Sequence, residues 1–186
     1  MLNLCVILNA PPGAGKDTIA DLLVAGHGFK KFQMKTELNK AVAYHYGISL
    51  AEFEEMAGDR DLKEIPVDFL DGKSPREAQI HVSEDLIKPK HGKDYFGRMA
   101  ALACSDSKVA KAVFSDGGFE EEIRPLIQVF EKVAIVRLRR EGYTFENDSR
   151  NYLESLAQTY DITLIEGDPL EALDEILKRV GDLCAI

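Results

Sequence analysis

Residues 6–23 read VILNAPPGAGKDTIADLL: an apolar run, a bend rich in glycine and proline that carries a lysine, then a run of helix formers. A strand that runs into a loop opening a helix is an arrangement that binds phosphate, because the helix N-terminus offers free N–H groups and a partial positive charge. The stretch 2–10 is nearly all apolar instead of alternating, as expected of a parallel strand buried on both faces. In the bend, Gly13, Ala14 and Gly15 are the candidates to turn backbone N–H groups inward on a phosphate chain. Lys16 can bring a movable point charge to its β- and γ-phosphates. The pattern G-x-x-x-x-G-K-[ST] is met in part: Ala10 stands at the first glycine, Asp17 at the hydroxyl position, and Thr18 follows one residue late.

Working outward, the whole chain has 186 residues, 45% of them hydrophobic and 30% charged, which fits one ordinary globular domain with a sizeable core. No apolar stretch approaches ~20 residues, so no membrane partner is expected. The net charge of −9, from 32 acidic and 23 basic residues, argues against a nucleic acid polymer as partner. Any anionic ligand must then be held by local clusters of lysine and arginine. Cys5, Cys104 and Cys184 have no metal-ligand or disulfide spacing and point to a reducing compartment.

Alternation of apolar runs with amphipathic segments predicts an α/β fold: a central parallel sheet of about five strands with helices on both faces. Helices are expected over 15–25, 35–47 with Thr36 as cap, 49–57, 74–89 with Ser74 as cap, 94–107, 119–132, 149–160 and 169–183. Strands are expected over 2–10, 29–34, 111–118, 133–140 and 161–168. Ligands of such a sheet sit at the carboxyl ends of its strands.

Asp116 ends the apolar run of the third strand and is followed by Gly117 and Gly118, where a carboxylate beside a phosphate loop orients magnesium and its waters. Asp17 either stabilises the first helical turn or stands near the same metal, with Thr18 sharing or replacing it in that role. Phosphoryl transfer also needs cations spread around the cleft. Arg137, Arg140 and Arg150 flank a short polar excursion at about 139–150 that suits a closing lid. Lys35, Arg76, Gln79 and Arg98 are candidates for an acceptor site in a helical region at about 35–100. Any one arginine taken alone reads equally as a surface ion pair.

A second loop pattern, G-x-P-G-x-G-K-x-T, matches at Pro12, Gly13, Gly15, Lys16 and Thr18 and is that of adenylate-kinase-like nucleoside monophosphate kinases. Together with SPREAQIHVSEDLIKPKHGKDYFGR from Ser74, VFSDGGFEEEIRPL from Val113 and DITLIEGDPLEAL from Asp161, it resembles the phage-type deoxynucleoside monophosphate kinases over nearly the whole chain. The P-R-x-x-Q element at Pro75–Gln79 and the S-D-x-x-F-x-x-E element at Ser115–Glu122 carry the likeness most specifically.

The resemblance implies a P-loop kinase fold and transfer of the ATP γ-phosphoryl group to a nucleoside monophosphate with magnesium, giving a diphosphate and ADP. It implies that Lys16 stabilises the transferring group, that Asp116 organises magnesium and that Arg76 belongs to the acceptor site. It also implies that Gly167, after the last strand, lets the chain approach the ATP base. The expected partners are small-molecule nucleotides, the expected assembly a monomer or homodimer, and the expected location the cytoplasm, of a host cell if the chain is phage-encoded. Two other readings remain: a P-loop kinase for another small acceptor, such as a dephospho-coenzyme or small alcohol, and a nucleotide-binding module without catalysis.

Overall fold

Five strands and eight α-helices succeed one another among the described residues of the computed structural model, which are 2–146, 148, 150–154 and 157–185, without the side chains of 184 and 185. In chain order they are β1 (Leu2–Asn9), α1 (Lys16–His27), β2 (Lys30–Phe32), α2 (Lys35–Tyr46), α3 (Leu50–Gly58), α4 (Pro75–Ile80) and α5 (Lys88–His91). They continue with α6 (Tyr95–Asp106), β3 (Lys111–Phe114), α7 (Glu120–Val129), β4 (Phe130–Arg139), β5 (Gln158–Thr163) and α8 (Pro169–Ala185). The chain divides into two compact units, residues 1–34 with 97–186, and residues 35–96.

The first unit is built on a sheet in the order β2-β3-β1-β4-β5, with every pairing parallel. Alternation of side chains along β1 feeds two cores, which is why the strand is apolar throughout. Leu4, Val6 and Leu8 pack with Ile19, Ala20 and Leu23 of α1 and with Leu173, Ile176 and Val180 of α8. Cys5 and Ile7 face the other way, onto Ala101 and Cys104 of α6 and Ile123 and Leu126 of α7. Because the chain fills one side of β1 with β2 and β3 and then crosses to the other with β4 and β5, the carboxyl end of β1 is a topological switch point, where ligands of such sheets bind. Burial pushes the Cys5 thiol well up and Cys104 to about 12, despite nearby Lys30, so both are inert packing groups.

The helix expected over 149–160 is not formed: residues 150–154 are irregular and β5 begins at Gln158, earlier than the expected 161. The Asn9 side chain takes the backbone groups that a helix would need, accepting from Leu153 N at 2.9 Å and donating to Asn151 O at 3.3 Å. Ser149, Ser155 and Leu156 of that expected helix lie outside the described residues. β4 also starts earlier than expected, at Phe130, directly from the last turn of α7.

The second unit is helical around a core of Val42, Ala43, Phe53, Leu70, Ala78 and Val82. Two capping boxes start its helices: Ser49 with Glu52 before α3, and Ser74 with Glu77 before α4. α2 begins at Lys35, so Thr36 lies inside the helix instead of capping it. Between α4 and α5 the helix widens to a π-turn over His81–Ile87, with Lys88 N donating to Ser83 O. Pro89 has no N–H to continue the ordinary ladder, which favours the wider register before it. No helix among the described residues is long and apolar enough to cross a membrane.

Candidate functional site

The loop between β1 and α1 is closed by Gly15, whose φ of +105° suits glycine and whose ideal Cβ would lie 2.7 Å from Leu164 Cδ2. α1 starts at the next residue, Lys16, and presents its first-turn N–H groups at this point. The Lys16 side chain is buried and turned back on the loop, Nζ donating to Ala10 O at 2.6 Å and Pro11 O at 2.7 Å. Burial, and then the nearby Arg150 cation, lower its pKa to about 8, against the opposing pull of Asp17, Asp148 and Asp116. These five charges therefore share one neighbourhood.

Asp17 is joined to the end of β3: Ser115 Oγ donates to Asp17 Oδ1 at 2.7 Å, and Lys31 Nζ reaches the same oxygen at 2.8 Å. Burial works against the Lys31 charge, but hydrogen bonds to Asp17 and Asp21 outweigh it and raise its pKa. Asp116 accepts from Met34 N at 3.0 Å, which ties the turn after β2 to the loop after β3. Thr18 is exposed. Asp17 is thus held by Ser115, the chain neighbour of Asp116. Among the described residues no group of three or more acidic, histidine or cysteine side chains is poised to hold a metal. Two carboxylates and a hydroxyl suit magnesium, which keeps several waters and takes most of its protein-side support from one or two carboxylates beside bound phosphates.

Of the three expected lid arginines, Arg140 comes beside Gly15 of the β1–α1 loop and Arg150 beside Gly118 in the loop after β3. Arg150 binds Asp148 through both forks, Nε to Oδ1 at 2.8 Å and Nη2 to Oδ2 at 2.7 Å. Its stem covers Gly118, whose ideal Cβ would lie 2.4 Å from Arg150 Cδ, so only glycine leaves it that space. Arg140 Nη1 lies 4.0 Å from the ideal Cβ of Gly15, and Nη2 pairs with Glu166 at 2.9 Å. The Nε atoms of Arg140 and Arg137 are both buried with no hydrogen-bond partner. Arg137 goes elsewhere, because the register of β4 and β5 sets it opposite Asp161, with which it and Arg139 both pair. Burial works against the Asp161 charge, but the two arginines outweigh it and lower its pKa.

Of the expected acceptor residues, Lys35, Arg76 and Gln79 belong to the second unit and Arg98 to the first. Gln79 Nε2 donates to the buried Asn39 at 2.8 Å, while Arg76 pairs with Glu64 at 3.3 Å near the surface. Gly13 and Ala14 lie in the loop as expected, and Gly167 lies in the turn closed by the bridge between Ile165 and Asp168. Sequence reasoning missed Asn9, Lys31, Ser115 and Asp148. The available signal was positional: Asn9 is the one polar residue ending a buried run, and Ser115 immediately precedes the strand-end carboxylate.

No protein-family model matches the chain, and no curated protein matches it in sequence. Solved structures share its fold. An unliganded sugar kinase from Janibacter sp. aligns with a TM-score of 0.55 at 13% identity, over 97% of this chain and 95% of that one. TT1252 from Thermus thermophilus aligns with a TM-score of 0.51 at 16% identity, over 96% and 95%. Dephospho-CoA kinase from Campylobacter jejuni aligns more loosely, at 0.49 with 13% identity, over 97% and 98%. With its five-stranded parallel sheet and its glycine loop between β1 and α1, the chain has the fold of the P-loop kinases.

Proposed function

We propose that the protein is an ATP-dependent phosphotransferase that moves the γ-phosphoryl group to a nucleoside monophosphate, with a deoxynucleotide as the first candidate. The observation that carries this reading is the meeting of Lys16 and Asp17 at the start of α1 with Ser115 and Asp116 at the end of β3, where the Arg150 stem rests on Gly118. The choice of acceptor is supported by the likeness at Pro75–Gln79 and Ser115–Glu122 to the phage-type enzymes.

In this reading the loop N–H groups hold the phosphate chain, and Lys16 exchanges the carbonyls of Ala10 and Pro11 for phosphate oxygens. Arg140 and Arg150 face the charge that spreads over the transferring group, where preorganised cations act most strongly. Magnesium, when bound with ATP, would offset the negative charge of the phosphates. Asp17 and Asp116 are the residues that would hold it and its waters. Arg76, Gln79, Lys35 and Arg98 would receive the acceptor.

The test is ADP formation from ATP and magnesium, with each common deoxynucleoside and ribonucleoside monophosphate offered separately. Stimulation by a subset supports the reading and names the base and sugar. Silence with all of them, in protein that binds ATP, moves the acceptor to another small molecule or leaves a binding module. Absence of ATP binding overturns the assignment.

A further inference from the structure

Asn9 is 1% exposed, yet it carries a full amide at the last position of β1, one residue before the phosphate loop. Its Oδ1 accepts from Leu153 N at 2.9 Å, and its Nδ2 donates to Asn151 O and Gly117 O, each at 3.3 Å. These partners lie on the two segments that flank Arg150. Asn151 follows Arg150 in the chain, and Gly117 precedes Gly118, on which the Arg150 stem rests. One side chain therefore fixes both the backbone that carries the arginine and the surface that supports it.

We infer that Asn9 is a positioning residue for Arg150: it anchors the segment after the lid to the ends of β1 and β3, so that the guanidinium is presented to the phosphates held by the loop. The inference rests on the reading of this site as one that binds ATP. Only an amide serves here. It must accept from one N–H and donate to two carbonyls, and a carboxylate of the same shape would set its oxygen against both carbonyls. Two of these bonds explain why residues 150–154 are not helical, since the amide captures Leu153 N and Asn151 O. Local preference is overridden by a residue 144 positions away in sequence.

The decisive experiment is a double-mutant cycle on magnesium-ATP affinity, measured by calorimetry with the full chain: Asn9→Ala, Arg150→Ala and the pair. Arg150→Ala should weaken binding about tenfold, Asn9→Ala should reproduce most of that loss, and the double variant should bind no more weakly than Arg150→Ala alone. If Asn9→Ala instead costs its full factor in the Arg150→Ala background, Asn9 is structural only and the inference fails. Should Asn9→Ala not fold, Asn9→Asp, which keeps the volume, takes its place in the same cycle with the same expected coupling. The readout needs no acceptor. Coupled variants in a protein that phosphorylates nothing would therefore overturn the proposed reaction and keep this inference, whereas absence of ATP binding would remove both.

Discussion

The Ser115 hydroxyl donates to the Asp17 carboxylate at 2.7 Å, so the hydroxyl and carboxylate that meet at this site sit on exchanged elements, the carboxylate on the loop helix and the hydroxyl on the strand end. The general loop pattern has the hydroxyl after the lysine and the carboxylate on the strand. Here the strand end keeps its own carboxylate, Asp116, as well, so two carboxylates stand beside one hydroxyl.

Ser115→Ala should leave the fold intact and raise the magnesium concentration needed for half-maximal turnover. The loss of one hydrogen bond to a carboxylate, about 1.5 kcal/mol, corresponds to roughly tenfold. Ser115→Thr should keep most of the wild-type response. A magnesium titration at fixed ATP checks both, and an unchanged curve for Ser115→Ala would show that the contact does not organise the site.

Lys16→Met should lower kcat/KM by about two to three orders of magnitude, the range for removing one preorganised charge from a transition state. Steady-state kinetics with the preferred acceptor is the measurement. A folded variant with near-normal kcat would remove Lys16 from the transferring group.

The same lysine makes the stability of the free protein depend on pH. Its pKa is about 8 when folded and near 10.5 when unfolded. Between these values the unfolded chain holds a proton that the folded chain has shed, so stability rises with pH across that window. Below pH 8 the buried cation weighs fully against the fold. In denaturant titrations at pH 7 and pH 10, the wild type should therefore gain stability relative to Lys16→Met as pH rises; parallel behaviour of the two would contradict the lowered pKa.

Arg76→Ala should raise the KM for the acceptor about tenfold or more while leaving ATP affinity within a factor of two. Its ion pair with Glu64 is exposed and by itself contributes no more than about 1 kcal/mol to stability. Loss of ATP binding instead would put Arg76 on the nucleotide side.

Gly118→Ala introduces a Cβ against the Arg150 stem, a flexible chain that can yield only by shifting its guanidinium. Activity should fall about tenfold with a small change in melting temperature, since the strain is relieved by the side chain and not by the backbone. Equal loss of both would point to a packing defect.

Much of the architecture was legible from local order. β1 is apolar at successive positions because both faces are covered, and Ser74 announces its helix because its hydroxyl and the Glu77 carboxylate each satisfy one free N–H group. The loop glycines and Lys16 follow from the backbone and charge that a phosphate requires. These are properties of contiguous residues, and contiguous residues suffice to state them.

What only the tertiary structure decided is which distant groups meet. Asn9 displaced the helix expected over 149–160, the β4 and β5 register drew Arg137 to Asp161, and close packing brought Arg150 onto Gly118 and Arg140 beside Gly15. Hydrogen bonds and ion pairs have reach of a few ångströms and no dependence on sequence separation. The sequence therefore determined the P-loop frame and the kinds of side chain at its rim, while the closing of the sheet determined which of them come together at the end of β1.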